Sequence, residues 1–157
     1  MEKWLENLEK SKQHIKTAEN MAYITFSLLK ENRLIIKILS ELYESSNYLI
    51  TALLQYESSI GKINIYKDPI LNLRTFKEKI APKYFNIEDA KQLVRIFELE
   101  KKHRQAPVEF IRKDKFVILL GDKYETLTIL EIKEFLSTLK KMLIRLKLNP
   151  KLSIKKL

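Results

Sequence analysis

The residues in this chain that could do chemistry cluster at "KKHRQAPVEFIRKDKFVIL", residues 101–119. His103 stands there among Lys101, Lys102 and Arg104. A histidine beside cations able to hold a phosphodiester is the minimum kit for metal-free RNA cleavage. It is equally what a helix C-terminus favours, since an imidazolium suits the negative end of the helix dipole. His103 is therefore only a weak catalytic candidate. The other histidine, His14, lies among Lys10, Lys12 and Lys16 on a helical stretch and reads as part of a solvated face.

Other chemistries fail on inventory. With no cysteine and two histidines, a zinc site would need carboxylates for most of its ligands, so no metal site is assigned. The two glycines, Gly61 and Gly121, are too far apart to form a phosphate-cradling loop, and no nucleophile elbow is present. No cofactor is implied.

Charge gives a stronger signal. Residues 101–157 hold 15 Lys+Arg against 6 Asp+Glu, whereas residues 1–100 hold 15 against 14. A lysine-rich coding background explains an excess of lysine, but not its crowding into the last third. Such asymmetry is the electrostatic footprint expected for a polyanionic partner. Lys101, Lys102, Arg104, Arg112, Lys113 and Lys115 can converge if the segment after Pro107 folds back beside the preceding helix. Phe110 and Phe116 interleave with them, and Tyr124 follows. At least one of the two phenylalanines is expected to pack beneath the strands. Lys133, Lys140, Lys141 and Lys147 share an arc of the last helix. With no RNP motif, GxxG clamp or zinc finger, binding would be directed at the nucleic-acid backbone.

The elements that must position these residues are mostly helical. Trp4, Leu8, Ile15, Ala18, Ala22 and Leu29 recur at spacings of three and four, with Ser11 and Thr25 filling the seam, which predicts a helix over the first thirty residues. A second runs from about Leu34 to Tyr56, with Gly61 just past its end. Asp68-Pro69 opens a third that Pro82 should end, and Asn86 caps a fourth whose apolar face is Ile87, Ala90, Leu93, Val94 and Phe97. That helix should fray over Lys102 to Gln105, because Pro107 disfavours a helical Ala106. Turn signals at 112–115 and 121–122 bracket Phe116 to Leu120, predicting a hairpin or three-strand meander near residues 108–127. Thr128 and Glu131 form a capping box for the last helix. The expectation is one mainly α domain over residues 1–148, an antiparallel bundle of about five helices with a small β insertion, and a basic tail over 149–157. No apolar run approaches the roughly 20 residues of a membrane span, and no secretory signal is read at the N-terminus. A cytoplasmic protein is the expectation.

The stretch "ELYESSNYLITALLQYESSIGK", residues 41–62, resembles the second helix of HEPN-domain proteins, and the likeness extends over roughly residues 10–105. That resemblance implies an antiparallel helical bundle, often dimeric, from a family that includes metal-independent ribonucleases. The family's catalytic mark is an arginine followed four to six residues later by histidine. Here seven residues separate Arg95 from His103, and His103-Arg104 runs in the reverse order, so no catalytic role carries over. The resemblance thus favours a non-catalytic protein. The leading expectation is a basic module that binds RNA, or less readily DNA, through its C-terminal third, as a homodimer; a partner protein that completes the apolar helix stripes belongs to the second expectation. The alternative is an antitoxin-like or scaffold subunit, with an active ribonuclease a distant third.

Overall fold

The computed structural model describes residues 2–149 and 152, which form five helices and a three-stranded sheet. Helix α1 starts as an α-helix at Lys3–Asn20, passes through one π-helical turn at Met21–Thr25 and ends with Phe26–Leu29. Its predicted seam is buried through Trp4, Leu8, Ser11, Ile15, Ala18 and Ala22. Beyond that the seam changes course, and Leu29 is exposed rather than buried. The reason is the π turn, which inserts one residue and so rotates the following side chains by about 100°. Phe26, instead of Leu29, packs against the core. The helix stops at Lys30, which adopts a left-handed conformation.

Helix α2, Leu34–Ser59, runs antiparallel to α1 and supplies the centre of the core through Ile35, Ile38, Leu39, Leu42, Leu49 and Leu53. The two helices approach closely because small residues meet at the crossing. Ser11 Oγ donates to the Ser45 carbonyl and Ser45 Oγ donates to the Ser11 carbonyl, each at 2.9 Å. Both hydroxyls are thereby satisfied without water, which makes them tolerable at full burial. His14 departs from the solvated reading, because it is half-buried at this seam. Its Nδ1 donates to Glu41 Oε2 at 2.6 Å, and its ring stacks on Tyr48. The periodicity of one helix cannot reveal a carboxylate waiting on another. Gly61, at φ +76°, ends α2, with Gly61 N–H bonding the Ser58 carbonyl and Lys62 N–H the Glu57 carbonyl. These are the two bonds of a Schellman closure.

Helix α3 comprises Pro69–Thr75, a π turn at Phe76–Ile80 and Ala81–Tyr84. Asp68 caps it, accepting from Ile70 N–H at 2.9 Å. Pro82 does not end this helix. The wider π turn immediately ahead relieves the clash that a proline ring makes with the preceding turn. Helix α4, Ile87–Gln105, is capped by Asn86, whose side chain accepts from Asp89 N–H at 2.8 Å. It holds to Gln105 without the early fraying expected, and Ala106 is extended ahead of Pro107. Its buried face is Leu93, Ile96 and Leu99 together with Asp89 and Glu100, while Ile87 is exposed.

Strands β1 (Val108–Arg112), β2 (Lys115–Leu120) and β3 (Lys123–Leu127) form an antiparallel meander in that order. The pairings Phe110↔Val117 and Val117↔Thr126 set one register, and Ile111↔Phe116 and Phe116↔Leu127 the other. Phe116, Ile118 and Leu127 point into the core. Helix α5, Ile129–Leu148, begins at the expected capping box, with Glu131 N–H donating to Thr128 Oγ1 at 3.3 Å. Ile132, Phe135, Leu136, Leu139, Met142 and Leu146 are buried as its period predicts. The tail expected over 149–157 falls outside the described residues except for Asn149 and Leu152, and Leu152 is buried in the core.

Candidate nucleic-acid interface

The meander has two chemically different faces because side chains alternate along a strand. The inward face carries the acids Glu109 and Glu125, and helix α4 meets Glu125 with two cations and Glu109 with a histidine. Arg95 Nη2 donates to Glu125 Oε2 at 2.8 Å, and Lys102 Nζ donates to Glu125 Oε1 at 2.7 Å. The hydrogen bond from Arg95, helped by Lys102 and opposed by partial burial, holds the Glu125 carboxyl down at about 2. The same contact pushes the Arg95 guanidinium further above its ordinary value. Glu109 Oε2 accepts from His103 Nδ1 at 2.6 Å, since an ionised carboxylate can only accept. Arg104 also turns back on its own helix. Its Nε donates to the nearly buried Glu100 at 3.2 Å, and its guanidinium lies 4.8 Å from the centre of the Tyr43 ring.

With both strand acids turned inward and hydrogen-bonded, the strands keep apolar and basic residues on the outer face, with Asp114 of the β1–β2 turn at its edge. Val108, Phe110 and Arg112 of β1, Lys115, Val117 and Leu119 of β2, and Tyr124 and Thr126 of β3 share it by register. Phe110 is 43% exposed and Tyr124 67% exposed. Val117 is only 6% exposed although it is no part of the helical core. Its register neighbours Phe110 and Thr126 flank it on the adjacent strands, and a shallow hollow of 460 Å³ opens there, with Tyr124, Arg112, Lys115 and the acid Asp114 among its walls. Phe116, the other interleaved phenylalanine, is buried on the inward side.

Arg112 and Lys115 are direct register partners across the β1–β2 turn. Like charges placed opposite one another destabilise a sheet, and no ion pair among the described residues relieves this couple. The left-handed Lys113 sits in the turn between them, at φ 58°, and its carbonyl accepts from Asn32 Nδ2 at 2.9 Å. The α1–α2 connection therefore fixes the turn in place.

The ten cations singled out in the sequence thus fall into separate groups, with Lys147 lining a hollow along the seam of α1 and α5. Arg112, Lys113 and Lys115 stay together at the sheet tip. Lys102 and Arg104 are engaged by Glu125 and Glu100, and Lys101 lines a groove between α2, α3 and α4. Lys133 lies over the Tyr23 ring at 4.7 Å, Lys140 bonds Glu19, and Lys141 lies 3.8 Å from the buried Asp89. The sequence does not mark Val117 as a buried residue of the outer face, because "KFVILL" is an unbroken apolar run in which neither face is polar. His103 is turned onto Glu109, and the two cations flanking it along the helix, Lys102 and Arg104, are bound to carboxylates. No three His, Asp or Glu side chains converge as a metal centre among the described residues, and no helix among them is long and apolar enough to cross a membrane. Compared with family models, curated proteins and solved structures, the chain matches none.

Proposed function

We propose that the protein binds single-stranded nucleic acid, RNA in preference to DNA, across the outer face of the meander, without cleaving it. The observation that carries this reading is the pairing of exposed Phe110 and Tyr124 with the unneutralised Arg112–Lys115 couple on one sheet face. Aromatic rings on a sheet offer stacking platforms for unpaired bases, the usual way in which single-stranded RNA is held. A phosphate lodged between Arg112 and Lys115 would remove their mutual repulsion, so the couple is better satisfied with ligand than without. Phe110 and Tyr124 belong to the two outer strands, about 10 Å apart across the sheet at the usual strand spacing, so each can take its own base. The engagement of Lys102 and Arg104 by carboxylates favours binding over catalysis.

The test is fluorescence polarisation with a labelled 12-nucleotide single-stranded RNA of mixed sequence. Phe110→Ala and Tyr124→Ala should each weaken binding about 5- to 100-fold, as loss of one stacked base does. Arg112→Ala with Lys115→Ala should lower the log–log salt slope by about 1.4, from two lost phosphate contacts on a single strand. Equal affinity of the parent and the Phe110→Ala variant, or no salt dependence, would overturn the reading.

A further inference from the structure

A second surface lies on the opposite kind of ground, along the seam where α1 and α5 run side by side. Tyr23 and Ile24 of α1 and Ile144 of α5 are 51%, 56% and 57% exposed, and all three line one hollow of 620 Å³. A second hollow of 280 Å³ continues it, sharing Glu19, Lys140 and Ile144 with the first and floored by Leu8, Ile15, Leu143 and Leu146. Apolar side chains gathered in a concave strip, with more than half of three of them in water, mark a contact surface. The rim is almost all of one sign. Lys12 and Lys16 rise on the α1 side and Lys147 on the α5 side, while Lys140 is paired with Glu19 and Lys141 lies 3.8 Å from Asp89.

We infer that this seam receives an acidic amphipathic helix from a partner protein. Lys12 to Ile24 spans about 18 Å at 1.5 Å per residue, the length of a helix of about 12 residues. The apolar floor fits the i, i+3, i+4, i+7 stripe of such a helix, and the lysine rims fit acidic residues on its flanks. A second copy of this chain does not suit the seam, because a two-fold contact places each lysine rim against its own equivalent. A membrane surface prefers a protruding apolar face to a recessed one. This surface shares no residue with the outer face of the meander, and the inference stands independently of the nucleic-acid reading.

The probe is a fluorescein-labelled 14-residue helical peptide with leucine at i, i+3, i+4 and i+7 and glutamate elsewhere, titrated with the full chain. Its control is the same peptide with lysine in place of glutamate. The acidic peptide should bind at least tenfold more tightly than its control. Ile144→Glu, an exposed site that leaves the core untouched, should weaken binding at least tenfold with an unchanged circular dichroism spectrum. Lys16→Glu with Lys147→Glu should do the same, whereas Arg112→Ala should have no effect. Equal binding of the two peptides, or binding indifferent to Ile144→Glu, would overturn the inference. So would retention on phosphatidylglycerol vesicles that Ile144→Glu abolishes while the acidic peptide does not bind, an outcome that assigns the seam to lipid.

Discussion

The α1–α2 seam and the α4–meander contact are both fastened by polar pairs, but of opposite character. At the first, neutral hydroxyls exchange hydrogen bonds in a fully buried crossing, Ser11 with Ser45. At the second, half-buried ions meet, Arg95 and Lys102 on Glu125, beside the hydrogen bond of His103 to Glu109. Neutral pairs satisfy buried groups at little desolvation cost and respond weakly to salt or pH. Ionic pairs hold only while both partners are charged, and salt screens them in proportion to their exposure. The helical crossing therefore rests on neutral groups, with His14–Glu41 beside it, while the sheet adds ion pairs to the apolar packing of Phe116, Ile118 and Leu127. The second arrangement also has a consequence for function, since it draws the acids of the meander inward and leaves cations outside.

The largest expected effect is on the scaffold. Leu42→Ala, at a fully buried position of α2, should cost about 2–5 kcal/mol, read as a lower urea midpoint for the whole molecule. Ser45→Leu comes next, because a large side chain at the crossing forces the helices apart. A loss of about 1–3 kcal/mol or more is expected, and an unchanged midpoint would show that the crossing is not tightly packed.

Glu125→Gln sharpens the other side of the comparison through pH. Glu125 titrates near 2 in the folded protein instead of its ordinary 4.5, so its contribution is complete above about pH 4.5 and is lost as the pH falls towards 2. The stability difference between the parent and Glu125→Gln should therefore shrink steadily across that window, measured by urea denaturation at several pH values. A constant difference would mean that the pair does not act electrostatically. Raising salt from 0.05 to 0.5 M should narrow the same difference at pH 7 and leave the destabilisation by Ser45→Leu unchanged.

The smallest effect is expected on the outer face. Val117→Ala removes two methyl groups from between Phe110 and Thr126 but opens no hole in the helical core. About 1 kcal/mol of stability should be lost. RNA affinity should fall as well, because Phe110 loses part of the cross-strand neighbour beside its ring.

Much of the scaffold was legible in the sequence because local signals and tertiary demands agreed. Asp68, Asn86 and Thr128 cap the helices they precede, and Gly61 closes α2 as its position predicted. The failures occur where a backbone adjustment has no residue signature. The π turn at Met21–Thr25 displaced Leu29 from the seam, and the one at Phe76–Ile80 carried α3 through Pro82. The candidate site was legible only in part. The basic cluster was visible as composition, but its division into engaged and free cations depends on Glu125, Glu109 and Glu100, which a charge count sees only as subtractions.

What the sequence determined by itself was the set of elements, their caps and the side of each helix that is apolar, because these follow from periodicities of 3.6 and 2 and from turn chemistry within a few residues. Only the tertiary structure decided which charges remain free. Ion pairing depends on distances between groups far apart in the chain, such as Arg95 and Glu125 or Glu19 and Lys140. It likewise decided that Phe110 faces water while Phe116 is buried, since the alternation of a strand gives two faces and only packing against α4 selects the inner one.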